Sequence, residues 1–176
     1  EYQNRVREPD EAWPHLLAER ELLHHPSMAE LQAVHFRLSY RLLKSETTRP
    51  PDFDPRIHAA QFLFYITVQN RNRQSPGFGD YLWFGLQPYD SRHRLPPAHA
   101  AADFSTAKKK GTGKFIFHPD MKRLTKESTH DGAWVCIDAD LMPFIREAVE
   151  MAWERGYLSD SHDLTDYCLG GMNMGW

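Results

Sequence analysis

Ala60–Asn70 reads Ala-Gln-Phe-Leu-Phe-Tyr-Ile-Thr-Val-Gln-Asn, and its alternation decides the fold class. Phe62, Phe64, Ile66 and Val68 occupy every second position, with Gln61, Leu63, Tyr65, Thr67 and Gln69 between them. Strand side chains alternate between faces, so one face belongs to a core and the other carries amides, a phenol and a hydroxyl. Two further stretches repeat this pattern. In Leu31–Lys44, Val34, Phe36, Leu38, Tyr40 and Leu42 point one way, and Ala33, His35, Arg37, Ser39 and Arg41 the other. In Asp80–Tyr89, Leu82, Phe84 and Leu86 oppose Tyr81, Trp83, Gly85, Gln87 and Tyr89. Pro88 donates no ladder hydrogen bond, so that strand ends there or lies on an edge.

The remaining segments fit a β-rich chain. After Trp13 and Pro14, Leu16–Leu23 reads as a short strand or helical turn. Gly113–His118 and Ala133–Asp138 read as strands. Leu164–Trp176 reads as a last strand or pair of strands, with a bulge at Gly170-Gly171. Thr47–Pro55, Arg71–Gly79, Ser91–Lys110 and Met121–Asp131 read as loops from their Pro, Gly, Asn and charged residues. Leu141–Arg155 alone carries helical spacing: Phe144, Ile145, Ala148, Val149, Ala152 and Trp153 make one stripe. Asp140 suits its N-cap, Pro143 fits only a first turn, and Gly156 stops it. The expected fold is mainly β, an antiparallel sandwich with one amphipathic helix at about 141–155. Strands joined by loops rather than helices argue against a parallel sheet.

A chain of 176 residues is one domain, residues 1–176, by the usual size relation. It starts at Glu1 rather than Met and ends at Trp176 in an apolar stretch. Those ends point to a piece of a longer chain with room for adjoining domains. A net charge of -3 gives no electrostatic case for nucleic acid or an anionic membrane. No apolar run approaches the ~20 residues of a membrane span. Cys136 and Cys168 define no disulfide framework. Two buried free thiols are the first reading, with a single bridge as the alternative.

If the three alternating strands share a sheet, their outward faces collect His35, Arg37, Arg41, Gln61, Tyr65, Gln69, Tyr81, Trp83 and Gln87 on one surface. Rings can lie on the C–H face of a pyranose, and amides and guanidinium groups bond hydroxyls and carboxylates. Were a second layer to cover this face, the same rings would be ordinary core. The alternating aromatic strand Tyr81–Tyr89 and the terminal strand with Asn173, Gly175 and Trp176 resemble the jelly-roll sandwiches of carbohydrate-binding modules and some polysaccharide lyases. The resemblance is one of strand layout over Leu31–Trp176. It implies a carbohydrate ligand on the sheet face, with Gln61, Tyr65, Gln69, Tyr81, Trp83 and Gln87 as binding residues, and it favours a secreted or extracellular place. It also implies a cleaving alternative, with His35 or Tyr65 as base and Arg37 as carboxylate clamp. A structural accessory domain without a small ligand is the third reading.

Other groupings carry less. Asp138 and Asp140 could contribute oxygens to a structural Ca2+ site, against the plainer reading of a strand end and a helix cap; no other cofactor is expected. The ten histidines form no zinc-binding spacing, and adjacent His24 and His25 would point apart on a strand. Tyr89-Asp90-Ser91-Arg92 could place a phenol, a carboxylate and a guanidinium at the mouth of the sheet, against the plainer reading of an Asp–Arg surface pair in a turn. Lys108–Lys110 and Asn70–Arg73 read as solvated loops.

Overall fold

The computed structural model describes Glu8, Glu11 and residues 15–47, 51–105 and 110–176; Trp13, Pro14, Lys108 and Lys109 lie outside these. The elements run β1 (Leu17–Glu21), β2 (His35–Tyr40), β3 (Gln61–Asn70), β4 (Tyr81–Asp90), β5 (His99–Ala102), β6 (Phe115–His118), β7 (Val135–Asp140), α1 (Met142–Glu154) and β8 (Tyr167–Gly175). Six strands form one sheet in the order β1-β8-β3-β4-β6-β5, and β2 pairs with β7 in a separate two-stranded ribbon. The fold is mainly β and sandwich-like, with one α-helix among the described residues. Among the described residues, no helix is long and apolar enough to cross a membrane.

One face of the large sheet is closed. Phe64, Ile66 and Val68 of β3 and Leu82, Phe84 and Leu86 of β4 are buried there with Phe115 and Phe117 of β6. Helix α1 covers them with Ile145, Ala148, Val149 and Ala152. Its first turn holds Pro143, and its Met142 amide donates to Asp140 Oδ1 at 2.9 Å. It ends at Gly156, whose φ of +79° suits glycine; Gly156 N–H returns to Trp153 and Tyr157 N–H to Ala152. The ribbon covers the rest, with Phe36 against Phe64 at a ring separation of 4.8 Å.

The ribbon corrects one expectation. β2 alternates as its sequence suggests, but it joins β7 rather than β3 and β4. Its half-buried Phe36, Leu38 and Tyr40 belong to a second layer. Period two says which face of a strand is buried and leaves open which sheet it joins. A second difference is that β4 and β6 run parallel, because the β5–β6 hairpin returns with β6 inside and β5 at the edge. β5 arises within the stretch expected to be a loop. A third concerns the thiols: both are free, Cys168 is buried, but Cys136 is exposed. On β7, Val135 and Ile137 face inward, so Cys136 and Asp138 face out.

Two bulges re-aim residues. At Gly170-Gly171, where the sequence suggested one, two β8 residues face Thr67, whose Oγ1 accepts the Gly171 N–H at 2.9 Å. The other lies on β4. Phe64 pairs with Leu86 and Phe62 with Tyr89, so Leu63 faces both Gln87 and Pro88. The extra residue shifts the alternation by one. Tyr89 therefore turns to the closed face, 4% exposed, and Asp90 turns to the other face beside Gln61.

Candidate functional site

The uncovered face of the sheet forms an open cleft of about 940 Å³. A row of residues crosses its floor. Tyr65 on β3 pairs with Asn173 on β8 and Gly85 on β4, and His99 on β5 pairs with His118 on β6. The parallel register Trp83–Ile116 and Phe84–Phe117 sets His118 beside Gly85. Gly85 has no side chain, so Tyr65 and His118 meet over bare backbone: Tyr65 Oη lies 2.9 Å from His118 Nε2. A Cβ at Gly85 would sit 2.5 Å from His118 Cδ2 and 2.6 Å from Tyr65 Cε1. Gly85→Ala should therefore cost about 1–3 kcal/mol by overpacking, read as a lowered denaturation midpoint. An unchanged midpoint would mean that the two rings do not rest on this glycine.

Aromatic contacts continue along β4. Trp83 sets its ring edgewise to Tyr65 at 5.7 Å and to Tyr81 at 5.3 Å. His99 lies 5.6 Å from His118. Burial, with His99 adding to it, drives the His118 imidazole down to about 3, so it is neutral at pH 7. Burial first, and the Asp103 carboxylate second, hold the Tyr65 phenol well above its ordinary value. Two buried polar atoms in this row have no partner, His118 Nδ1 and Asn173 Oδ1.

At the bulge end, Asp90 is 1% exposed and collects five hydrogen bonds. Gln61 and Gln87 each donate Nε2–H to its Oδ2 at 2.8 Å. Arg92 donates from Nε at 2.8 Å and Nη2 at 2.6 Å, and its amide adds a third bond. Burial pushes this carboxyl up, but the Arg92 and Gln61 bonds outweigh it and hold it at about 2. The cleft lining carries Glu19, Asp90 and Asp103 against Arg92. A second cavity of about 910 Å³ adjoins it and shares His58, Ala60, Arg92 and His93.

Of the residues expected to form the site, Gln61, Tyr65, Trp83 and Gln87 line the cleft together. Gln69 and Tyr81 are cross-strand partners on the same face, beyond the cleft's lining. Lys114 lies over the Tyr81 ring at 5.3 Å. His35 and Arg37 are not with them. Both are exposed on the ribbon, Arg37 beside Asp138 at 3.6 Å, so the base and clamp expected there stand on the wrong layer. Arg41 lies over the Trp134 ring. Asp140 Oδ1 accepts the Val34 and Met142 amides. Among the described residues, no three His, Cys, Asp or Glu are grouped to hold a metal.

Sequence reasoning passed over His118, His99 and Glu19; it named Asn173 without a role and read Asp90 first as the partner of Arg92 in a turn. His118 was within reach: Phe115 and Phe117 are core, so Ile116 and His118 must share the other face. His99 stands in a run of alanines with no pattern to read.

No protein-family model and no curated protein sequence matches this chain at a significant level. Among solved structures, a meso-active, thermostable cellulase derived from a cellulase of Rhodothermus marinus superposes with a TM-score of 0.51. The match covers 98% of this chain and 69% of that one at 13% identity. At that identity the likeness is one of fold.

Proposed function

We propose that the cleft binds a strand of polysaccharide. The observation that carries this reading is the open cleft of about 940 Å³, where the Tyr65 and Trp83 rings stand with the Gln61 and Gln87 amides; its floor also holds two sealed polar atoms without partners, His118 Nδ1 and Asn173 Oδ1. Each such atom costs about 1–3 kcal/mol when left unsatisfied. When the Tyr65 hydroxyl donates to Nε2, the His118 proton sits on Nδ1 and becomes a donor. Both atoms are sealed from solvent, so a sugar hydroxyl satisfies either one only by displacing the side chains that cover it. Trp83 and Tyr65 add ring surface beside these groups, and Gln61 and Gln87 add amides. That the superposing structure is a cellulase supports the same reading.

Binding is the reading proposed, and cleavage is the alternative that the test decides; the base and clamp expected from the sequence are not assembled in the cleft. A tyrosine base must ionise, and Tyr65 is held as a phenol. His35 and Arg37, the other candidates, stand on the ribbon. The test is retardation of the protein in gels containing soluble polysaccharides, alongside assays for new reducing ends and for the ultraviolet absorbance of unsaturated ends. Retardation without new ends is the expected result. New ends would move the proposal from binding to catalysis. No retardation by any of a broad set of polymers would leave a structural domain.

A further inference from the structure

We infer that Asp90, turned into the cleft by the β4 bulge, makes that end a reader of sugar hydroxyls, so that the polymer bound is neutral rather than a uronate. The inference rests on the polysaccharide reading and narrows it to a substrate class.

The chemistry of Asp90 fixes the orientation of two amides. An ionised carboxylate only accepts hydrogen bonds. Gln61 from β3 and Gln87 from β4 both reach its Oδ2 at 2.8 Å, so each must turn its NH2 toward Asp90 and its carbonyl oxygen away. An amide turned the other way would set oxygen against oxygen. Both residues line the cleft, which thus receives two carbonyl acceptors side by side. Acceptors call for donors, and hydroxyls are the donors of a neutral sugar.

The same carboxylate weakens the cleft's hold on an anion. Among the described residues, Arg92 is the one arginine or lysine lining this cleft. Its Nε and Nη2 lie on the two oxygens of Asp90 at 2.8 and 2.6 Å. The Nε–Nη2 edge of the guanidinium is thereby occupied, and the Asp90 charge offsets that of the Nη1 edge that remains. Glu19 adds negative charge to the same lining, and His118 is neutral at pH 7. A polyuronate therefore meets a guanidinium already compensated by Asp90 and the like charge of Glu19, whereas a neutral polymer meets no such repulsion.

The test compares neutral polymers (hydroxyethylcellulose, glucomannan and arabinoxylan) with alginate and polygalacturonate at pH 7.5, using the full chain in gel retardation or calorimetry. Retention by at least one neutral polymer, with neither uronate held even at low salt, is expected. Tighter binding of a uronate would overturn the inference and leave polysaccharide binding intact. Binding of neither class would overturn both. Gln61→Met and Gln87→Met keep side-chain volume but delete the carbonyl acceptors, and each should weaken neutral-polymer binding roughly tenfold. Asp90→Asn frees the Arg92 fork and lets the amides turn over. The ratio of uronate to neutral affinity should then rise at least about tenfold, a switch that mere loss of structure does not produce. Should Asp90→Asn fail to fold, the two Gln→Met variants decide: full neutral-polymer affinity in both would overturn the inference.

Discussion

Replacing Trp83 by alanine should lower polysaccharide affinity about 30-fold or more, the 2 kcal/mol scale of a central anchoring residue. The indole touches both neighbouring rings edgewise, Tyr65 at 5.7 Å and Tyr81 at 5.3 Å, and it lines the cleft itself. Its loss removes ring surface and also lets Tyr65 drift from His118. Because Trp83 is only half-buried, the stability cost should stay near 1–2 kcal/mol, below the 3–5 of a sealed tryptophan. Trp134→Ala is the control. That ring is 63% exposed and flanks the ribbon, so its removal should leave binding unchanged. Calorimetry on both variants separates the outcomes. Full affinity in Trp83→Ala would end the case for an aromatic platform.

Acid should unfold the domain early. His118 titrates near 3 in the folded chain against an ordinary 6.5. Below pH 6.5 the unfolded chain takes up a proton that the folded chain refuses, so stability falls with pH through that whole window. At pH 5 the loss is about 2 kcal/mol, from 1.5 units at about 1.36 kcal/mol each. Asp90 acts lower down. Its folded value of about 2 lies beneath the ordinary 3.8, so its contribution is complete above pH 4 and disappears toward pH 2. That second loss is about 1–2 kcal/mol after allowance for solvent near Arg92. Urea denaturation at pH 7.5, 6, 5 and 4 should give steadily lower midpoints, with a flatter profile in His118→Gln. A level profile down to pH 5 would show that His118 accepts protons freely and is not sealed beneath Tyr65.

The sequence exposed the central strands plainly because period two is a local property. Phe64, Ile66 and Val68 are buried as their spacing demands, and Gln61, Tyr65, Trp83 and Gln87 share the opposite face. What it concealed was non-local. β2 alternates as cleanly as β3, yet its partner lies about a hundred residues on, at β7. Nothing in a single strand's pattern names its neighbour. Asp90 was hidden by a different cause. Strict alternation sends it to the core with Leu86, where an acid is implausible, so it reads as part of a turn. One extra residue at Gln87–Pro88 reverses the parity and brings it into the cleft. Pro88 was the available clue, since a proline within a strand often marks a bulge.

The position of β8 bears on how the protein is made. It is the last of the eight strands along the chain, yet it sits inside the sheet between β1 and β3. During synthesis β1 waits with no pairing partner, and β3 keeps an unpaired backbone edge, until residue 175 has left the ribosome. Cotranslational assembly can proceed through α1 and the ribbon, but the sheet closes only once β8 has emerged. The interval before that is when this chain is most open to pairing with the wrong partner.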